Sequence, residues 1–200
     1  MADGTNSADV LRLSVSLVTQ GPHKFYTLTM SSDILAKSCF VSTRIDDPAM
    51  GFQRLLDEKR ALEIARYIDE GGTIPNSVVL SAQPEAQLHV VGRGKTLQFK
   101  VTRKGFLVLD GQHRIYGFSK AQTTLRVPVV IYNGLNRKEE SRLFIDINTK
   151  QRPVPNELLL DIKSMAEYET DEEQLLRKIY DLFNSEPDSP ILGLLSPSAK

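Results

Sequence analysis

The sequence predicts an α+β fold that turns wholly helical toward its C-terminal end. Two patterns carry that reading. Short apolar runs with period-two alternation, bounded by Gly, Pro and Ser, are mixed with helical-period stretches up to residue 134. From Asn136 onward every patterned segment has helical spacing. The composition agrees: 200 residues, 40% hydrophobic and 25% charged, describe one ordinary domain with an appendage and enough chain for a sizeable core.

In chain order, residues 1–9 are polar and expected to be disordered. Leu11, Leu13, Val15 and Leu17 alternate within a first strand over Val10–Val18. Lys24–Met30 is its hairpin partner across the Gly21-Pro22 turn. Asp47-Pro48 is a helix-start signal. Gln53–Glu70 then carries Leu55, Leu62, Ala65 and Ile68 at helical spacing and stops at Gly71-Gly72. Ser77–Ser81 is a short buried strand. Leu97–Val101 and Phe106–Leu109, joined by Thr102-Arg-Lys-Gly105, predict a β-hairpin. A helix follows over 110–121, and Arg126–Tyr132 is a further strand. Residues 135–184 are helical: one helix starts near Leu135 and ends at the Asn148–Pro155 loop, a second starts at Pro155, and a third spans Asp171–Phe183. The Ser/Pro-rich stretch 185–200 holds Ile191, Leu192, Leu194 and Leu195, too apolar for a solvated tail. It points to a chain cut there or to a segment that docks elsewhere.

Composition narrows the function classes. Zero net charge means that any anion-binding site must be local. One cysteine, Cys39, excludes an internal disulfide and a cysteine-rich zinc site. Three histidines, His23, His89 and His113, leave little for a histidine-based metal centre. No apolar run approaches the ~18 residues of a membrane span, and the start resembles no signal peptide, so the expected location is the cytoplasm.

Asp110-Gly-Gln-His-Arg114 holds the densest chemistry. An apolar strand ends in an acid, a glycine lets the backbone turn, and a helix start offers unpaired N–H groups and a positive dipole end that suit a phosphate. In the functional reading Arg114 and His113 grip phosphate oxygens. Asp110 then holds a divalent metal, positions a water or orients His113, and Gln112 positions water or reads a polar edge. The structural reading is a capped helix start with Asp110 as N-cap, Arg114 salt-bridged and His113 on the surface; the two weigh equally. A second cluster, Asp146 to Arg152, concentrates polar side chains at a helix end, where Asn148 and Gln151 reach a ligand or Asn148 merely caps. A third is Gly51-Phe-Gln-Arg54 with Lys59 and Arg60. Arg93, Lys95, Lys100, Arg103 and Lys104 form a basic stretch, with no acid between residues 86 and 109, that could track a DNA backbone. Gly92-Arg-Gly-Lys-Thr96 ends like a phosphate-binding P-loop. However, His89 stands where that pattern needs Gly, and a strand follows.

Asp110-Gly-Gln-His-Arg114 is similar to the motif that names the DGQHR-domain family, which includes the DndB-type proteins linked to DNA phosphorothioation. Gly51-Phe-Gln-Arg54, then Arg60 with Ile64, Ala65, Tyr67 and Ile68, and Phe144 with Asn148 and Gln151, resemble its flanking motifs in the same order. The resemblance covers roughly residues 40–165. It implies kinship with the ParB/sulfiredoxin-like α+β fold over residues 10–134, where a Gly-x-Arg-Arg-type turn binds nucleotide phosphates. His113 replaces the first basic residue of that pair.

These readings lead to a nucleotide-binding, nucleotide-hydrolysing domain of a DNA-modification or DNA-defence system. In it Gln53, Arg54, Gly111, His113, Arg114, Asn148 and Gln151 bind a nucleoside triphosphate, with ATP expected. Asp110, Gln112 and His113 carry catalysis, and Asp110 shares Mg²⁺ with the phosphates. The expected partners are the nucleotide, DNA and other proteins of the system, with no membrane. The alternatives are a DNA-binding repressor or adaptor and a ParB-like nuclease using Asp110 and His113.

Overall fold

The computed structural model describes residues 10–42, 57–149 and 170–192. The chain divides into two compact units, Met1–Thr149 and Lys150–Lys200. The first unit has the mixed α+β architecture that the sequence predicts. Its elements run β1 (Val10–Ser14), β2 (Ser16–Gln20), β3 (His23–Ser31), α1 (Ser32–Ser38), β4 (Cys39–Phe40), α2 (Glu58–Asp69) and β5 (Val78–Ala82). A 3-10 turn (Pro84–Ala86) leads to β6 (His89–Val91), β7 (Thr96–Lys100), β8 (Phe106–Asp110), α3 (Gln112–Lys120), β9 (Arg126–Asn133) and α4 (Arg137–Thr149).

The strands form two sheets. Six lie in the order β2-β3-β9-β5-β8-β4, and three in the order β1-β7-β6. In the larger sheet β9 is antiparallel to β3 and parallel to β5, and β8 is antiparallel to β5. Pro128 interrupts β9 without breaking the sheet because of where it falls. It pairs with Thr29 of β3, whereas β5 joins β9 only from Val129 onward. Phe106, Leu107, Val108 and Leu109 are all buried, as a continuous apolar run requires of a strand covered on both faces.

One core spans both sheets. Leu97 and Phe99 of β7 are buried against the cluster that includes Leu80, Phe106, Val108, Ile115 and Ile131. The Phe99 and Phe106 rings meet edge-to-face, 5.1 Å between centroids at 89°, and join β7 of the small sheet to β8 of the large one.

Helices α2 and α3 are held together along their length. Ala61, Ala65 and Ile68 form the buried stripe of α2. At Gly117 of α3 an added Cβ would stand 2.8 Å from Ile64 Cγ2 and 3.1 Å from the Ala61 carbonyl, so the backbone approach needs glycine. At the C-terminal end of α2, the Asp69 carboxylate accepts the backbone N–H groups of Gln122 and Thr123 at 2.9 and 2.8 Å, just past α3. These two bonds hold the Asp69 carboxyl below its ordinary range. At the other end, Asp57 at the start of α2 meets His113 at the start of α3. The two helices therefore run side by side in the same direction, with their N-terminal ends together.

Several expectations are corrected. Val10–Val18 is not one strand. Val15 donates its N–H to the Lys95 carbonyl at 2.9 Å, which ends the pairing of β1 with β7, and from Ser16 the chain enters the other sheet. The β7–β8 hairpin does not exist either: β7 pairs with β1 and β6, β8 with β5 and β4. Thr102–Gly105 is the passage between sheets, and the hairpin turn of this region is Gly92–Lys95, between β6 and β7. Leu62 does not share the buried stripe of α2; it is exposed, and Ala61 is buried instead. α4 runs through Thr149 rather than stopping at Asn148. The short elements α1, β4 and β6 were not anticipated. Asp47-Pro48 and the start of the helix expected from Gln53 lie outside the described residues, as do residues 1–9, the helix expected from Pro155 and the end of the tail.

In the second unit α5 (Asp171–Ser185; the last helix) starts with a capping box: Thr170 Oγ1 accepts the Glu173 N–H, and the Thr170 N–H donates to the Glu173 carboxylate. Leu175, Leu176, Ile179, Leu182 and Phe183 form an exposed apolar stripe on this helix. No helix among the described residues is long and apolar enough to cross a membrane.

Candidate functional site

The site candidate is the turn from β8 into α3. Gly111 is the N-cap of α3 and sits at φ 98°, in the left-handed region that side chains other than glycine's rarely adopt. No side chain caps this helix. The first backbone bond of the helix is Ile115 N–H to the Gly111 carbonyl, 3.0 Å. The N–H groups of Gln112, His113 and Arg114 precede it and have no acceptor within the helix. Because α2 starts beside α3, two helix N-terminal ends share this corner. Parallel dipoles side by side repel, and negative charge at their common end relieves that.

Arg114 is more firmly placed than a solvent-facing ligand would be. Its Nη2 donates to Asp110 Oδ2 at 2.7 Å. Its Nη1 donates to the Asn76 carbonyl at 2.6 Å and the Ser77 carbonyl at 3.2 Å, on the loop before β5. The side chain is 18% exposed. A Cβ at Gly111 would stand 3.0–3.2 Å from three guanidinium atoms, so Gly111 serves both the turn and the seat of Arg114.

His113 accepts the Asp57 backbone N–H through Nε2 at 3.3 Å. That bond leaves Nδ1 as the protonated nitrogen of a neutral ring. Burial, with the Arg60 charge adding to it and Asp57 opposing, holds the imidazole pKa below the ordinary 6.5. Folding therefore favours neutral His113. Its contribution to stability is complete above pH 6.5 and is lost as pH falls through the lowered folded value. The melting temperature is expected to drop between about pH 7 and pH 5 more steeply in the native chain than in His113→Gln. Equal slopes in the two proteins would refute this.

The other expected site residues are spread more widely. Gln112 is half-buried in the first turn of α3. Asn148, in the last turn of α4, is exposed, and its side-chain amide donates to the Phe144 carbonyl at 2.8 Å, a bond back onto its own helix. Gln53, Arg54 and Gln151 lie outside the described residues. The basic residues do not form one hairpin. Arg93 and Lys95 sit in the β6–β7 turn, whereas Lys100, Arg103 and Lys104 lie at the far end of β7 and in the passage to β8. Among the described residues no three His, Cys, Asp or Glu side chains gather as a metal cage. Sequence reasoning missed Asp57, Asn76 and Ser77. Asp57 left one readable signal, an N-cap acid ahead of Arg60, whose N–H its carboxylate accepts at 3.1 Å.

Residues 13–181 match the family model of DndB, described as DNA-sulfur modification-associated. The chain belongs to the DndB family. Within this DndB-family chain the matched stretch includes β8, the Gly111 turn and α2 to α4. No curated protein matches the sequence. Among solved structures it is similar to the crystal structure of the C-terminally truncated chromosome-partitioning protein ParB from Caulobacter crescentus complexed with CTP-gamma-S. That likeness has 13% identity and a TM-score of 0.46 and covers 74% of this chain and 67% of that one.

Proposed function

We propose that this DndB-family chain binds a nucleoside triphosphate at the β8–α3 turn and uses it in DNA-sulfur modification. One observation carries the reading: an uncapped helix start at a left-handed glycine, beside the start of a second parallel helix. That arrangement presents the backbone N–H donors and the dipole end of α3 to an anion, while the start of α2 beside it carries the Asp57 carboxylate as its own cap. Gly111, Gln112 and His113 hold the phosphates in this reading, within the positive field of Arg114 and Arg60. A Mg²⁺ arriving with a nucleotide would be held by Asp110, whose Oδ2 is already paired with Arg114, and would supply neutralisation of phosphate charge. Gln112 or Asp110 positions water if the nucleotide is hydrolysed.

Thermal shift with ATP, GTP and CTP, each with Mg²⁺, tests the reading. A ligand at 100 times its dissociation constant adds about 2.7 kcal/mol, a rise of roughly 5–10 °C for a unit of this size. No rise with any of the three would end it.

The second reading is DNA contact by the basic turns, favoured by the exposure of Arg93, Lys95, Arg103 and Lys104. Their location at both ends of β7 predicts two separate footholds on a phosphate backbone. Alanine at Lys100, Arg103 and Lys104 should flatten the salt dependence of DNA binding by about 0.9 log–log units per lost contact. Nucleotide binding should survive, and an unchanged slope would remove these residues from the interface.

A further inference from the structure

The charged groups of the turn divide in a way that the motif alone does not reveal. A bidentate grip on phosphate would need the guanidinium of Arg114 to turn two N–H groups toward the ligand. Three of its five N–H groups are already committed, to Asp110, Asn76 and Ser77, and the two that remain belong to a side chain only 18% exposed. Turning it outward would exchange three formed bonds, one of them charge-assisted, for the phosphate grip, which gains little. The same guanidinium lies against Gly111, the residue whose φ of 98° aims the first turn of α3.

We infer that Arg114 is the positioning residue of the anion site. It ties the end of β8, the loop before β5 and the Gly111 turn into one rigid corner, and the phosphate is held by the backbone of α3's first turn and by His113. This rests on the nucleotide reading above and gives Arg114 a different task from the phosphate grip that its motif implies. A planar fork is needed for the task, because one side chain must reach a carboxylate and two carbonyls at once; a lysine carries the charge but not the fork.

The experiment is calorimetric titration of the full chain and its variants Arg114→Lys and Arg114→Gln. The probes are ATP, GTP and CTP with Mg²⁺, and inorganic tripolyphosphate. It is run at a temperature where circular dichroism shows every protein folded. Both variants are expected to lose affinity equally, by about ten- to a hundredfold, the scale of a misplaced binding group. Amide exchange at Ile115, whose N–H bonds the Gly111 carbonyl, should accelerate in both without ligand. Rescue of affinity by Arg114→Lys would make Arg114 a direct phosphate ligand and overturn the inference. Full affinity in both variants would make it a merely structural residue, which overturns it equally. If the native chain binds none of the probes, the nucleotide reading has failed, and this inference with it. Should neither variant fold, Asp110→Asn, which weakens one of the three anchors, replaces them. Accelerated exchange at Ile115 is then the expected result, and unchanged exchange overturns the inference.

Discussion

Phe106→Ala should destabilise the first unit by about 3–5 kcal/mol, the range for removing a fully buried phenylalanine. Phe106 is fully buried, and its ring is where β8 of the large sheet meets Phe99 of the small one. Truncation removes more than transfer energy. It opens a cavity that rigid strands on both sides cannot close, and it ends an edge-to-face contact of about 0.5–1.5 kcal/mol. A loss of this size is a large part of the 5–15 kcal/mol that holds a domain together. Chemical denaturation should show a lower midpoint, and a double-mutant cycle with Phe99→Ala should show coupling. A loss below about 1.5 kcal/mol would mean that the two sheets do not depend on this ring pair.

Glu140→Ala is the second large effect, at about 3 kcal/mol. Glu140 lies in α4 at 3% exposure. Its Oε1 accepts from Gln83 Nε2 at 2.7 Å, and its Oε2 accepts from Arg137 Nη1 at 3.3 Å. Arg137 Nη2 in turn donates to Ser42 Oγ at 2.7 Å. Removing the carboxylate takes a charge partner from Arg137 and an acceptor from Gln83 in a place with little access for water. Glu140→Gln keeps an acceptor for Gln83 and loses the charge, so it should cost less than Ala. Urea unfolding of the three proteins checks the order native, Gln, Ala. An alanine variant as stable as the native chain would show that this network contributes nothing net.

What was legible in the sequence is what local pattern encodes. Gly21-Pro22 between two alternating runs identified the β2–β3 hairpin, and Gly71-Gly72 marked the end of α2. The run Phe106–Leu109 announced a strand buried on both faces. Pairing between distant strands left no such trace: nothing in Leu97–Val101 says that its neighbour is Leu11 rather than Phe106. α1 was missed because seven residues allow barely two turns of periodicity. At the site, a salt bridge for Arg114 was foreseeable in the plainer of two readings, but that reading made Asp110 the N-cap; Gly111 is the cap, and Asp110 pairs with Arg114 instead. The other anchors of Arg114 were invisible, since Asn76 and Ser77 contribute backbone carbonyls that any residue possesses. The His113–Asp57 bond needed the packing of α2 on α3, which Gly117 permits and only coordinates display.

The pairing of β1 with β7 also sets an order of events for a newly made chain. Leu11 waits for Phe99, and more than half of the first unit is translated between them. At about 5–20 residues per second, that delay is roughly 4–18 seconds. Throughout it β1 has unpaired edges and the apolar side chains of Val10, Leu11 and Leu13, while the β2–β3 hairpin behind it can close within microseconds of its own synthesis. The small sheet can close once β7 has emerged, whereas the large sheet still waits for β8 and β9. A nascent or slowly translated chain is most exposed to aggregation at its N-terminal strand, the place where a holdase chaperone would have most to protect.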